Sequence, residues 1–299
     1  MSPAATRQFE ILRIIARYGV MNTQVLSQLL SDRLSPAWVR AALIRLETKK
    51  LIARGTCLLG GRPSNYWMLS NESESFDRAI ALTGLDKSQI RTKSAHWSSF
   101  PHENLCTIFQ ASVERQMPSV WLLRESTGNF SQLPSHLISE RVKRNGYLPD
   151  MCLGIPTKFS NVPHAVDSYK WIAVEIDRTR RSAKRVAARA NIYSRHTSFA
   201  GVLYLMPNSS LADSVCKIYN TRGASESLRI KGGSLSFLAA SAVPQSLFDV
   251  NALKVSCGKT EIPLTTWLAL FVVAETHKRD SELLRISNNT LYMNEKLAV

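Results

Sequence analysis

The N-terminal part of the chain carries three helical patterns followed by a hairpin pattern. Apolar residues recur at helical spacing in three stretches, 7–18, 22–30 and 35–50. Ser35 followed by Pro36 is typical of the start of the third helix. Two strand-like stretches then flank a basic turn that contains Gly60 and Gly61. The order helix, helix, helix, hairpin predicts a winged helix-turn-helix domain over residues 1–70.

The third helix and the hairpin supply the candidate contacts to DNA. The run from Leu46 to Gly55, with the turn and strand after it, closely resembles the end of the recognition helix and the wing of bacterial winged-helix regulators. A recognition helix lies in the major groove, and a wing contacts the minor groove or a phosphate. The predicted DNA-binding side chains are Trp38, Arg40, Arg45, Lys49, Arg62 and Asn65. The alternative is a domain that contacts only proteins, with Arg40 and Arg45 on a solvated face.

The pattern changes after this domain. Residues 71–98 are mostly polar, with one short helical pattern around Phe76, and we interpret them as a linker. Helical and strand patterns then alternate from residue 99 to residue 207. This alternation predicts a mixed α/β domain, of the α+β kind, over residues 99–299. Residues 208–299 contain no motif, and we interpret them as a C-terminal extension that completes the domain, mediates oligomerisation or contacts a partner.

Three acidic residues form the candidate catalytic centre. Because side chains alternate along a strand, the apolar residues at 172, 174 and 176 face one way, and Glu175 and Asp177 face the other. Two carboxylates this close repel each other unless a cation or a shared proton neutralises them. Asp150 supplies a third acid, after Pro149 at the start of another predicted strand. We therefore predict that Asp150, Glu175 and Asp177 bind Mg²⁺ or Mn²⁺, which would assist cleavage of a phosphodiester bond.

The charge of the chain favours a polyanionic partner. The 38 Lys and Arg residues exceed the 23 Asp and Glu residues, which gives a formal net charge of +15. Cations that follow the acid pair are predicted to hold the DNA backbone: Arg178, Arg180, Arg181, Lys184, Arg185 and Arg189. His102 is a candidate general acid. The simpler alternatives are surface ion pairs for the acids, a structural role for His102, and a core position for Tyr193 instead of use as a nucleophile.

Other features indicate where the protein works. The five cysteines show no C-x-x-C spacing, so neither a zinc site nor a disulfide framework is indicated. Charged residues interrupt the N-terminal apolar pattern, unlike a secretory signal. The longest apolar run, residues 265–274, is shorter than a bilayer span. We expect a cytoplasmic protein without membrane insertion.

Several short motifs together resemble a known family. They are H-x-N at His102 and Asn104, W-x-x-x-E at Trp121 and Glu125, P-D at Pro149 and Asp150, and VEID at residues 174–177. With the N-terminal winged helix, their order is similar to that of the replication-relaxation superfamily, and within it to the MOBC-type conjugative relaxases. The resemblance implies a restriction-endonuclease-like fold of the PD-(D/E)XK type. It also implies nicking of plasmid DNA at an origin of transfer, with relaxosome proteins and a type IV coupling protein as partners.

One position departs from the wider nuclease pattern. The second strand of such nucleases carries D/E-x-K, whereas this chain has Asp177 where the Lys would be. Lys184 on the following helix is a candidate replacement for that cation. The missing Lys leaves open a non-catalytic relaxosome accessory protein or transcriptional regulator with a decayed nuclease fold. A restriction or defence nuclease that cuts both strands as a symmetric dimer is a further alternative.

Overall fold

The computed structural model describes residues 3–59, 62–86, 89–90, 96–126, 128–138, 148–157, 169–178, 182–196, 199–221, 237–257 and 260–271. The N-terminal unit contains α1 (Pro3–Tyr18), β1 (Met21–Asn22), α2 (Thr23–Leu29), α3 (Pro36–Thr48), β2 (Ile52–Leu59), β3 (Arg62–Leu69) and α4 (Ser73–Thr83). Strand β3 pairs antiparallel with both β1 and β2, which gives the sheet order β1-β3-β2. The predicted order of three helices and a hairpin is therefore present.

Local sequence signals set the ends of the N-terminal helices. The Asn22 side chain caps α2 by accepting a hydrogen bond from the Val25 N–H at 2.8 Å. Ser35 Oγ caps α3 in the same way and accepts from the Trp38 N–H at 3.3 Å. Gly19 follows α1 with φ 79°, a left-handed conformation that suits glycine. Helix α3 buries the inward set that its apolar spacing indicates, namely Val39, Ala42, Leu43 and Leu46.

The stretch interpreted as a linker contains a packed helix. Within 71–98, helix α4 buries Ala79 completely and packs Phe76 and Ile80 against the main hydrophobic core. It ends at Gly84, which has φ 63°. Residues 73–83 therefore belong to the N-terminal unit, because the apolar face of their short helical pattern is covered.

The α/β unit is built on one mixed sheet. Its elements are α5 (Phe100–Gln116), β4 (Trp121–Arg124), β5 (Met151–Pro156), β6 (Tyr169–Ile176), α6 (Ala183–His196), β7 (Gly201–Met206), α7 (Ser209–Thr221), β8 (Phe237–Ala242), β9 (Lys254–Cys257), β10 (Thr260–Pro263) and α8 (residues 264–271). The sheet order is β10-β9-β8-β7-β6-β5-β4. Strands β4, β5 and β6 are antiparallel neighbours, and β6, β7 and β8 are parallel neighbours. The mixed α/β class is thus confirmed.

Strand β6 is buried on both faces, with the alternation that the sequence predicts. Ile172, Val174 and Ile176 belong to the core that continues into the N-terminal unit. Ala173 lies in a second cluster, together with Val186 of α6. Parallel strands covered on both sides need such near-continuous apolar runs. The consequence is that a carboxylate at position 175 must be buried beneath α6.

A buried arginine joins the two units. Arg124 on β4 is 2% exposed and donates to the Tyr18 carbonyl oxygen at 2.7 Å and to Glu103 Oε2 at 2.7 Å. It also donates to Thr107 Oγ1 at 3.2 Å and to Gln110 Oε1 at 3.1 Å. The Arg124 guanidinium group therefore ties the end of α1 to helix α5 and strand β4, and it is one of the contacts that fix how the two units meet.

Two further observations bear on the expectations about location and cysteines. Among the described helices, none combines the length and the apolar character that crossing a bilayer requires. Cys57, Cys106, Cys152 and Cys216 are free thiols.

Candidate functional site

Three carboxylates meet where β6 ends. Glu175 lies near the end of the strand and Asp177 directly follows it, and each is 1% exposed. The antiparallel pairing of Met151 with Val174 brings Asp150 beside this end of the strand. Asp150 Oδ2 accepts a hydrogen bond from the Ile176 N–H at 2.7 Å. The structure therefore brings together the three acids that the sequence analysis selected, with Asp150 and Asp177 just outside the strands.

Glu175 is held from helix α6. Its two carboxylate oxygens accept hydrogen bonds from the Arg189 guanidinium group and from the Tyr193 hydroxyl. Burial and the charge of Asp150 raise the pKa of Glu175 to about 8, although Arg189 acts in the opposite direction. The site therefore favours the neutral form of Glu175 more strongly than water does.

His102 joins the other side of the cluster. Its Nε2 atom lies 3.3 Å from Asp150 Oδ1 and 3.6 Å from Cys106 Sγ. The Cys106 sulfur and the Asp150 carboxylate raise the pKa of His102 to about 12 against the effect of burial. Burial disfavours ionised Asp150, but the partnership with His102 holds the pKa of that carboxyl below its ordinary value. The contact between the two groups therefore favours the protonated form of His102 and the ionised form of Asp150.

Protein groups contact two of the three carboxylates that were predicted to bind Mg²⁺ or Mn²⁺, Glu175 and Asp150. Both oxygens of Glu175 accept from Arg189 and Tyr193, and both oxygens of Asp150 have protein partners, His102 and the Ile176 N–H. A hard divalent cation needs carboxylate oxygens turned towards it, and an arginine at the same carboxylate competes with it. An ion at this position would therefore have to compete with Arg189 for the Glu175 carboxylate. Glu175 and Asp150 thus belong to a buried network of protein cations and hydrogen-bond donors.

The predicted cations of this region take different positions. Lys184, the candidate replacement for the nuclease Lys, is exposed in the first turn of α6, as is Arg185. The cation that contacts Glu175 is Arg189. Arg178 is exposed, and its guanidinium lies 3.5 Å from the Ser98 carbonyl oxygen. Arg180 and Arg181 lie outside the described residues.

A cleft in the N-terminal unit brings together a second set of candidate residues. It encloses about 760 Å³ between α2, α3 and the β2–β3 hairpin. Exposed Arg40 of α3 lines one wall, and exposed Arg54 of β2 lines the other. The Arg54 guanidinium pairs with Glu47 at 3.2 Å and lies 5.9 Å from the centre of the Trp67 ring. The other lining residues are Thr23, Gln24, Ser27, Gln28, Ser31, Pro36, Ile44, Asn65 and Trp67.

Of the six predicted DNA-binding side chains in the N-terminal unit, five are exposed and one, Trp38, is only partly exposed. Arg40, Arg45, Arg62 and Asn65 are exposed, and Arg40 and Asn65 line the cleft. Lys49 is exposed and donates to Gln8 Oε1 at 3.2 Å. Trp38 was expected to face outward, but it is only partly exposed and packs against the core, with the Arg7 guanidinium 5.9 Å from its ring centre. Its large apolar ring explains this position, because covering it removes apolar surface from water.

The sequence analysis gave a different role to Arg189, which contacts the acidic cluster. It did not identify Arg124, which lies outside the cluster. Arg189 was grouped with the cations that hold DNA, yet it is four residues before Tyr193 on α6. Residues at this spacing share a helix face, so the core position of Tyr193 could have placed Arg189 beside β6. Arg124 carries no comparable signal, because its partners are spread over α1 and α5.

A scan against protein-family models found no matching family, and a search of curated proteins found no similar sequence. Function must therefore be inferred from the residues and the geometry described above.

Proposed function

We propose that this protein binds double-stranded DNA site-selectively, with its N-terminal unit acting as a winged helix. The observation that carries the proposal is the cleft between α3 and the hairpin, which has exposed arginines on both walls. Arginine is the side chain that most often recognises base edges and phosphates in duplex DNA. The net charge of +15 supplies the long-range attraction that brings a polyanion to this face.

The parts of the N-terminal unit match the parts of a winged-helix complex. Helix α3 would lie in the major groove, where Arg40 can donate two hydrogen bonds to O6 and N7 of a guanine. Arg62, exposed at the start of β3, would contact the minor groove or a phosphate. Polar residues on α2, such as Thr23 and Gln24, line the cleft and would contact the DNA backbone.

The α/β unit would extend this binding face. Arg178 reaches Ser98, which lies just before α5, and its positive charge acts on Tyr66 of the hairpin strand β3. The end of β6 therefore lies next to the base of the hairpin. Since Arg124 fixes the two units to each other, DNA held by the hairpin would lie at a set distance from the acidic cluster.

The test is an affinity measurement on a site that the full chain itself selects from random duplex DNA. We expect Arg40→Ala to weaken binding to that site by about 5- to 100-fold, the loss expected for one bidentate contact to a base. Arg33→Ala is the matched control, because Arg33 is an exposed arginine of the same unit that pairs with Glu10 outside the cleft. Equal affinities for wild type and Arg40→Ala, or failure to select any site, would overturn the proposal.

A second candidate is a metal-dependent nickase of the mobilization relaxase type, with an origin of transfer as its DNA and a coupling protein as a partner. The observation that favours it is the convergence of Asp150, Glu175 and Asp177 with His102, from separate elements, at one end of β6. The opposing observation is that Arg189, Tyr193 and His102 already engage the carboxylates. For this candidate, Mg²⁺ or Mn²⁺ would have to displace these partners.

Supercoiled plasmid carrying the selected site distinguishes the two candidates. The protein is incubated with the plasmid and Mg²⁺ or Mn²⁺, with EDTA as control, beside Asp150→Asn and Glu175→Gln. Open circles that depend on the metal and on both carboxylates would establish the nickase. Tight site-selective binding without nicking would favour the non-catalytic regulator or accessory protein.

A further inference from the structure

We infer that Ile44 reads the 5-methyl group of a thymine in the bound DNA, beside the base pair that Arg40 contacts. This inference rests on the proposed DNA binding and makes its specificity more precise. Ile44 is 57% exposed on α3, whereas Val39, Ala42, Leu43 and Leu46 of the same helix are each at most 1% exposed. Ile44 is therefore an apolar side chain that the core of the unit does not use.

The position of Ile44 places its side chain on the same surface as the proposed DNA contacts. Ile44 lies four residues after Arg40, so both side chains occupy the same face of α3, and both line the cleft. Arg45, the next residue, is exposed. An apolar group beside two arginines suits a partner that is strongly anionic but offers isolated apolar groups. This charge complementarity favours DNA over an apolar protein surface.

The major groove offers one apolar group on its base edges. The C5-methyl group of thymine projects into that groove, and apolar side chains on recognition helices contact it. A β-branched side chain has restricted rotamers in a helix, so Ile44 is already ordered before it meets DNA. The i and i+4 spacing of Arg40 and Ile44 then predicts a guanine and a thymine close together in the preferred site.

The experiment replaces thymine by uracil, which removes only the methyl group. Each thymine of the selected duplex is replaced in turn, and affinity is measured by fluorescence anisotropy with the full chain. We expect a loss of about fourfold at one position, the effect of burying about one carbon group (~0.8 kcal/mol at ~1.4 kcal/mol per factor of ten). Ile44→Ala should bind the thymine duplex with a loss of at least this size and should show no further loss at that position with uracil.

Leu82→Ala is the matched control, since Leu82 is 38% exposed on α4 and is not among the residues that line the cleft. It should keep the full response to uracil. If Ile44→Ala binds as wild type does, or still loses affinity with uracil, the inference is wrong while DNA binding stands, and Ile44 would instead be free to contact a protein. If wild type selects no site, the proposed function itself fails, and the inference fails with it.

Discussion

Replacement of Arg124 tests how the two units are held together. Arg124→Met keeps much of the apolar stem but removes the guanidinium that donates to Tyr18, Thr107, Gln110 and Glu103. The Glu103 side chain, 14% exposed, would lose the cation that lies 2.7 Å away. Breaking a buried ion pair from one side costs roughly 3–5 kcal/mol, since the remaining charge is left uncompensated. Domains are commonly stable by only about 5–15 kcal/mol, so a large part of the stability would be lost.

Urea unfolding of the full chain, followed by circular dichroism, measures this loss. Arg33→Met is the control, since the Arg33 side chain is 71% exposed in its pair with Glu10 and its removal should cost at most ~1 kcal/mol. Glu103→Gln in the Arg124→Met background should recover stability relative to the sum of the single variants, by about 0.5–3 kcal/mol, because it removes the stranded charge. If Arg124→Met unfolds within ~1 kcal/mol of wild type, Arg124 does not join the units in the way described.

Two further predictions concern the hairpin contact and the acidic cluster. A Cβ atom on Gly55 would lie 1.9 Å from Cε2 of the Phe100 ring. Gly55→Ala should therefore lower the free energy of unfolding in urea by about 1–3 kcal/mol, and by less when Phe100→Ala removes the ring. Equal losses in both backgrounds would contradict this contact. The pKa of Glu175 is raised from 4.5 to about 8 in the folded protein, so its contribution to stability is full below pH 4.5 and is lost as the pH rises through about 8. The stability of wild type relative to Glu175→Gln should therefore fall between pH 4.5 and 8, and two parallel stability curves would refute this shift.

The parts of the fold that depend on local sequence patterns can be predicted from the sequence. The caps at Asn22 and Ser35, the inward face of α3 and the two faces of β6 each follow from residues within a few positions of one another. The pairing of β5 with β6, which brings Asp150 to Glu175, was indicated only by the presence of a third acid before a strand.

Features that depend on distant contacts were harder to predict. The prediction that Glu175 binds a metal ion did not include its hydrogen bonds from Arg189 and Tyr193, which form because α6 crosses over this end of β6. The strand pattern places Glu175 on one face of β6. Whether a metal ion or an arginine is its partner depends on side chains that the fold brings together from distant parts of the sequence. Trp38 illustrates the same limit, since its position against the core depends on α1 packing on α3.

The central claim is that α3 enters the major groove of a specific duplex, and protection of guanine N7 from methylation tests it most directly. N7 is exposed in the major groove and is the atom that Arg40 would contact. The full chain is bound to its selected duplex, treated with dimethyl sulfate and compared with Arg40→Ala at a concentration that saturates the DNA. The account predicts a guanine that wild type protects and Arg40→Ala leaves reactive, within an otherwise unchanged footprint. Identical protection patterns, or no protected guanine at all, would contradict it.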